Sequence, residues 1–93
     1  TVEVKTSLTW GQDRDNFKWQ QIRSLQNYER IIFIGLNPDE MKVFWATKED
    51  LVSNIFGKNK YRQHGGKNGK QELYWISTQQ GILPSWFKTL EEW

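Results

Sequence analysis

Between Arg30 and Leu36 the chain reads Arg-Ile-Ile-Phe-Ile-Gly-Leu, its longest apolar stretch. A run that is apolar at successive positions has no polar side to give to water, so it predicts a strand covered on both faces, as in the interior of a parallel sheet. It is strand-sized and far too short to span a bilayer. A parallel partner has to come from a segment separated by a crossover. The opening residues supply one. In Thr1-Val2-Glu3-Val4-Lys5-Thr6-Ser7-Leu8, apolar Val2 and Val4 alternate with Glu3 and Lys5, which predicts a strand with one buried face and one chemical face. Between the two strands, Asp15 or Asn16 can cap a helix from about Phe17 to Gln26, because Trp19, Ile22 and Leu25 recur at threes. Gln20, Gln21, Arg23 and Ser24 fill the rest of that helix. Strand–helix–strand implies a right-handed crossover.

Downstream, Asn37-Pro38-Asp39-Glu40 is a turn with proline presetting the bend, and Lys42–Ala46 makes the return strand of a hairpin. Thr47 caps a short helix from Lys48 to Ile55 with acids in its first turn, and Gly57 closes it. A further strand spans Glu72–Ser77. Leu83–Trp93 is a Trp-rich tail in which Trp86, Leu90 and Trp93 have the spacing of a short docking helix. No repeat, heptad or linker divides the chain. The expected fold class is α/β (α+β), and residues 1–93 read as a single domain or a fragment of one. With 37% hydrophobic and 26% charged residues the chain is a folding sequence, not a disordered one. Absence of cysteine removes disulfides and thiolate metal sites, and the single histidine leaves no donor set for zinc. No signal-peptide pattern is visible.

Net charge is only +2, but it is unevenly spread. Lys58, Lys60, Arg62, Lys67 and Lys70 lie between Phe56 and Lys70 with no acid among them, together with His64 and glycines at 65, 66 and 69. The remainder carries eight bases against eleven acids. A basic loop on a slightly acidic body points to an anionic partner. His64 reads as a loop residue or phosphate contact, since no carboxylate lies nearby in sequence to make it a general base.

On the opening strand, Glu3 and Lys5 project to the same side, roughly 7 Å apart along the chain. A carboxylate that can hold a hard cation, beside an ammonium that can polarise water or stabilise a phosphorane, suits metal-assisted phosphodiester hydrolysis. With this pair come the segment Phe17-Lys18-Trp19-Gln20-Gln21-Ile22-Arg23 and the buried strand ending in Asn37-Pro38-Asp39. Together they resemble the second half of the PD-(D/E)XK nuclease core, and more narrowly the bacterial type II restriction endonucleases. The resemblance covers about residues 2 to 46. It implies a partial restriction-endonuclease-like core in which Glu3 coordinates Mg²⁺ and Lys5 positions or activates the attacking water. Gln20 would sit beside the site, with Gln21 and Arg23 contacting double-stranded DNA. It also implies a bacterial, cytoplasmic protein. The family's first acid, usually an aspartate on a preceding hairpin, has no counterpart here, since Asp13 and Asp15 follow the motif and serve the turn and the cap. The resemblance therefore predicts a C-terminal half that is inactive alone and completed by an upstream segment or a second subunit.

Of the six tryptophans, Trp19, Trp45 and Trp75 are expected in the core. Trp10 is expected near a ligand, and Trp86 and Trp93 on an apolar docking surface. Two other classes stay open: a non-catalytic DNA-binding module using the basic loop, and an interaction domain that recruits a protein by strand addition and its Trp-rich tail.

Overall fold

A computed structural model describes residues 1–11, 15–62, 73–78 and 82–93. Within them the chain forms β1 (Val2–Leu8), β2 (Lys18–Arg23), β3 (Arg30–Leu36), β4 (Met41–Thr47), α1 (Lys48–Asn54), β5 (Leu73–Ser77) and the two-residue β6 (Lys88–Thr89). The architecture is mixed α+β. A four-stranded sheet has the order β1-β3-β4-β6, and a two-stranded antiparallel sheet pairs β2 with β5. No helix among the described residues is long and apolar enough to cross a membrane.

The apolar run forms β3 in the middle of the larger sheet. It pairs in parallel with β1, from Val2 opposite Arg30 to Leu8 opposite Leu36, and antiparallel with β4 through the Asn37–Glu40 turn. The Asn37 Oδ1 closes this turn by accepting from the backbone N–H groups of Asp39 and Glu40, both at 2.9 Å. Thr47 then caps α1 with a reciprocal capping box to Asp50. Just past the helix, Gly57 takes the left-handed φ of +81° that lets the chain turn away, and its N–H donates to the Tyr74 hydroxyl at 2.8 Å.

The expected helix over Phe17–Gln26 is instead strand β2, followed by a loop. The reason lies in a β-bulge. Trp19 faces Ile76 and Ile22 faces Tyr74, so two residues, Gln20 and Gln21, stand where a regular ladder has one. Gln21 takes up the extra residue with a left-handed φ of +57°. A strand with one inserted residue turns two inward side chains into an i, i+3 pair, which imitates the helical period. Leu25, the next member of the supposed stripe, is 66% exposed.

The small sheet packs its Trp19, Ile22, Tyr74 and Ile76 against Ile31, Phe33, Phe44 and Ala46 of the large one, with Leu51 of α1 and Ile55 just past it in the same core. Gly35 lets the layers meet, because a Cβ there would stand 2.8 Å from the Phe17 ring. The tail is not a docking helix. It is the extended β6 and a short 3-10 turn, Leu90–Glu92, and its Phe87 ring stacks on Phe33 with centroids 4.8 Å apart. Trp86 rests against Phe87, and Trp93 meets Trp45 edge-on. Trp19 and Trp45 are buried as expected, while Trp75 is only half-buried.

Candidate Glu3–Lys5 site and basic face

Parallel register decides which face of β1 carries chemistry. Glu3, Lys5 and Ser7 stand opposite Ile31, Phe33 and Gly35, the residues of β3 whose side chains or bare Cα face the core. That row therefore points toward the small sheet. Val2 and Val4, expected to be buried, are on the opposite face and about half exposed. The alternation was legible; its sense was inverted, because the row under β2 holds the polar side chains at the sheet's edge.

Glu3 Oε1 lies 3.6 Å from Lys5 Nζ, and the two side chains retain 23% and 20% of their exposure. The separation is longer than a hydrogen bond, so the groups are paired by charge without being locked. Strand β2 is a neighbour of β1 and is held near each of its ends. Near one end the Lys18 N–H donates to Ser7 Oγ at 3.0 Å. At the other the Tyr28 hydroxyl donates to the Arg23 carbonyl at 3.1 Å. Burial, and after it the charge of Glu3, pushes the Tyr28 phenol up to about 12, so Glu3 lies within electrostatic reach of this end of β2. Gln20 and Gln21 sit between the two ties, exposed, at the bulge. They are thus exposed residues of a strand and do not stand at a helix start.

Donor chemistry limits what these residues hold by themselves. Among the described residues no group of three or more His, Cys, Asp or Glu side chains could hold a metal ion. Glu3 fits as one hard oxygen ligand, partly open to solvent. Mg²⁺ prefers octahedral oxygen coordination and is held through carboxylates together with water and phosphate oxygens, so Glu3 without further ligands is an incomplete site.

The exposed face of the small sheet gathers residues that are scattered in sequence. Lys18, Gln20 and Arg23 are exposed on β2, and Trp75 and Ser77 alternate outward on β5. Beside them lies the 3-10 turn Asn59–Tyr61 with exposed Lys58 and Lys60, followed by half-buried Arg62, which bridges to Tyr74. Tyr61 meets Trp75 edge-on at 6.4 Å, and the Lys18 ammonium sits 4.9 Å from the Trp75 ring centroid. Within β2, β5 and Lys58–Arg62 there are five bases and no acid. His64, Lys67 and Lys70 lie outside the described residues. Trp10 is 71% exposed beyond the far end of β1, roughly 20 Å from Glu3 along the strand.

Lys18, Tyr61 and Trp75 escape a helical reading of residues 17–26. Reading Lys18-Trp19-Gln20 as a strand would have put Lys18 and Gln20 on one outward face. No family model, curated protein or solved structure matches the chain.

Proposed function

We propose that this chain supplies half of the phosphodiester-cleaving site of a PD-(D/E)XK-type nuclease acting on double-stranded DNA. The observation that carries the reading is the Glu3–Lys5 pair, charge-matched at 3.6 Å on the face of β1 that is turned toward the small sheet. Glu3 contributes one oxygen ligand to Mg²⁺, whose other protein ligands come from outside the described residues, from an upstream segment or a second subunit. When bound, the metal supplies Lewis-acid stabilisation of the scissile phosphate.

Lys5 keeps its ammonium beside the carboxylate, where it orients a water and meets the negative charge that grows on the phosphate during attack. Gln20, on the exposed side of β2, presents a neutral amide able to donate to a phosphate oxygen. The duplex backbone lies across the basic face, where Arg23, Gln21, Lys58, Lys60 and Arg62 contact phosphates without reading sequence.

The test is Mg²⁺-dependent plasmid nicking by the full product of the reading frame that encodes this chain. Cutting that is lost in both Glu3→Ala and Lys5→Ala, with DNA affinity changed far less than rate, supports the assignment. Variants that cut as fast as wild type overturn it. DNA binding with no cutting by the wild type leaves the non-catalytic DNA-binding module as the better account.

A further inference from the structure

Beyond the backbone contacts just assigned, the outer side of the small sheet holds a cavity. It has a volume of about 450 Å³ and is walled by Lys60, Tyr61, Trp75, Ser77, Pro84 and Trp86. That is within the range of small-ligand sites and well above what one planar base needs. Three of its walls are aromatic rings, and none of the three is fully buried. Two cations lean on them, Lys18 over Trp75 at 4.9 Å and Lys60 over Tyr61 at 5.3 Å.

We infer that this cavity receives a single unstacked nucleotide of a nucleic-acid strand. The base lies against the Trp75 indole with the Tyr61 edge beside it, and its phosphate is met by Lys60 and Lys18. Each ammonium now rests on a π face, and a phosphate offers a stronger partner for the same short side-chain swing. A flat aromatic ligand with an adjacent anion engages both the Trp75 and Tyr61 rings and the two ammonium groups beside them. A peptide side chain would use the rings but leave the two ammonium groups without purpose. The Ser77 hydroxyl provides one polar group at the wall for a base edge, so the site tolerates different bases, as stacking sites do.

The inference deepens the DNA reading, but it stands on the cavity and is read by binding, so it survives or fails separately from cleavage. Fluorescence anisotropy in EDTA compares a fully paired 20-mer with the same duplex carrying one bulged, unpaired base. Wild-type protein is expected to prefer the bulged duplex by about tenfold, the order of one base stacked on an aromatic ring. Trp75→Leu and Tyr61→Leu should each bring the two duplexes toward equal affinity while the paired duplex binds as before. Lys60→Met should weaken both duplexes. Should Trp75→Leu lose its circular-dichroism signature, Tyr61→Leu decides alone, since Tyr61 lies outside the two sheets. Equal wild-type affinity for the two duplexes overturns the inference, and so does a preference that persists in Tyr61→Leu.

Discussion

Two of the lysine–carboxylate pairs among the described residues are built to opposite ends. Asp50 and Lys88 meet at 2.5 Å. The same Asp50 Oδ2 accepts the Thr47 N–H at 3.0 Å, and the Asp50 N–H donates back to Thr47 Oγ1 at 3.1 Å. Burial alone would raise the Asp50 carboxyl. The hydrogen bonds from Lys88 and Thr47 and the charge of Lys88 outweigh it and hold the group below its ordinary 3.8. This pair fastens β6 to the start of α1, and its Oδ2 is committed to two donors, Lys88 Nζ and the Thr47 N–H. Glu3 and Lys5 stand at 3.6 Å with similar exposure, in contact by charge but not closed into a hydrogen bond. Similar composition and burial thus yield a clamp in one place and an available carboxylate and ammonium in the other. Charge pairing by itself says little about role; the number of bonds each oxygen already makes says more.

The sharpest way to break the comparison is kinetic. If only the open pair is catalytic, Lys5→Ala should reduce nicking by about a hundredfold or more, the order lost with one transition-state donor. Lys88→Met should leave the rate per folded molecule within about twofold. A Lys88 effect on rate as large as that of Lys5 would erase the distinction.

Stability should respond in the reverse order. Asp50→Ala removes both the clamp and half of the capping box and should cost about 1–2 kcal/mol in chemical denaturation. Glu3→Ala should cost less than about 1 kcal/mol, as for other partly exposed pairs. The pH dependence has a definite sign. Because the folded Asp50 value is depressed, its stabilisation is complete above about pH 4 and disappears as pH falls through the folded value. Asp50→Asn should flatten that acid limb, and an unchanged limb would place the coupling elsewhere.

Electrostatics on the basic face gives a smaller, graded effect. Each of Lys58, Lys60 and Arg62 that neutralises a phosphate adds about 0.9 to the slope of log affinity against log salt. The triple alanine variant should flatten the slope by up to about 3 and leave Lys88→Met DNA binding as the wild-type reference. A slope indifferent to all three would remove phosphate contact from this turn.

Legibility followed the regularity of the local pattern. The β3 run, the Asn37–Glu40 turn and the Thr47 cap were readable, because each rests on short-range chemistry: unbroken apolarity, an Asn–Pro turn, a side chain capping its own helix. The parallel β1–β3 pairing was expected from a strand–helix–strand crossover and is present without that helix, and β3 is fully buried on one face only, with Ile32, Ile34 and Leu36 half-buried on the other. Two things were not readable. One inserted residue at Gln20–Gln21 turned a strand's period into a helix's, and only the partner β5 reveals the bulge. The buried sense of β1 depends on which side β2 lies, a tertiary fact with no local signature. For the site, Glu3 and Lys5 were legible as a pair. The convergence of Lys18, Tyr61 and Trp75 was not, because it joins three separate segments of the chain.

The finest test of the comparison uses Tyr28 as a reporter for Glu3. Its phenol is raised to about 12, first by burial and second by the Glu3 carboxylate. The neutral phenol donates to the Arg23 carbonyl, a bond that ionisation would abolish. A raised folded value means that the stabilisation is complete below about pH 10, the ordinary tyrosine value, and is lost as pH climbs through the folded value near 12. Glu3→Gln keeps the side chain's size and burial but removes the charge. The Tyr28 midpoint should therefore move down, yet stay above 10 because burial remains. Carbon-13 tyrosine NMR resolves Tyr28 from Tyr61 and Tyr74 and follows its midpoint directly. Asp50→Asn, which neutralises the committed carboxylate instead, should leave that midpoint where it was. If Glu3→Gln also leaves it unmoved, the carboxylate does not lie under the Arg23 end of β2. The Glu3–Lys5 pair would then lose its link to the Arg23 end of β2.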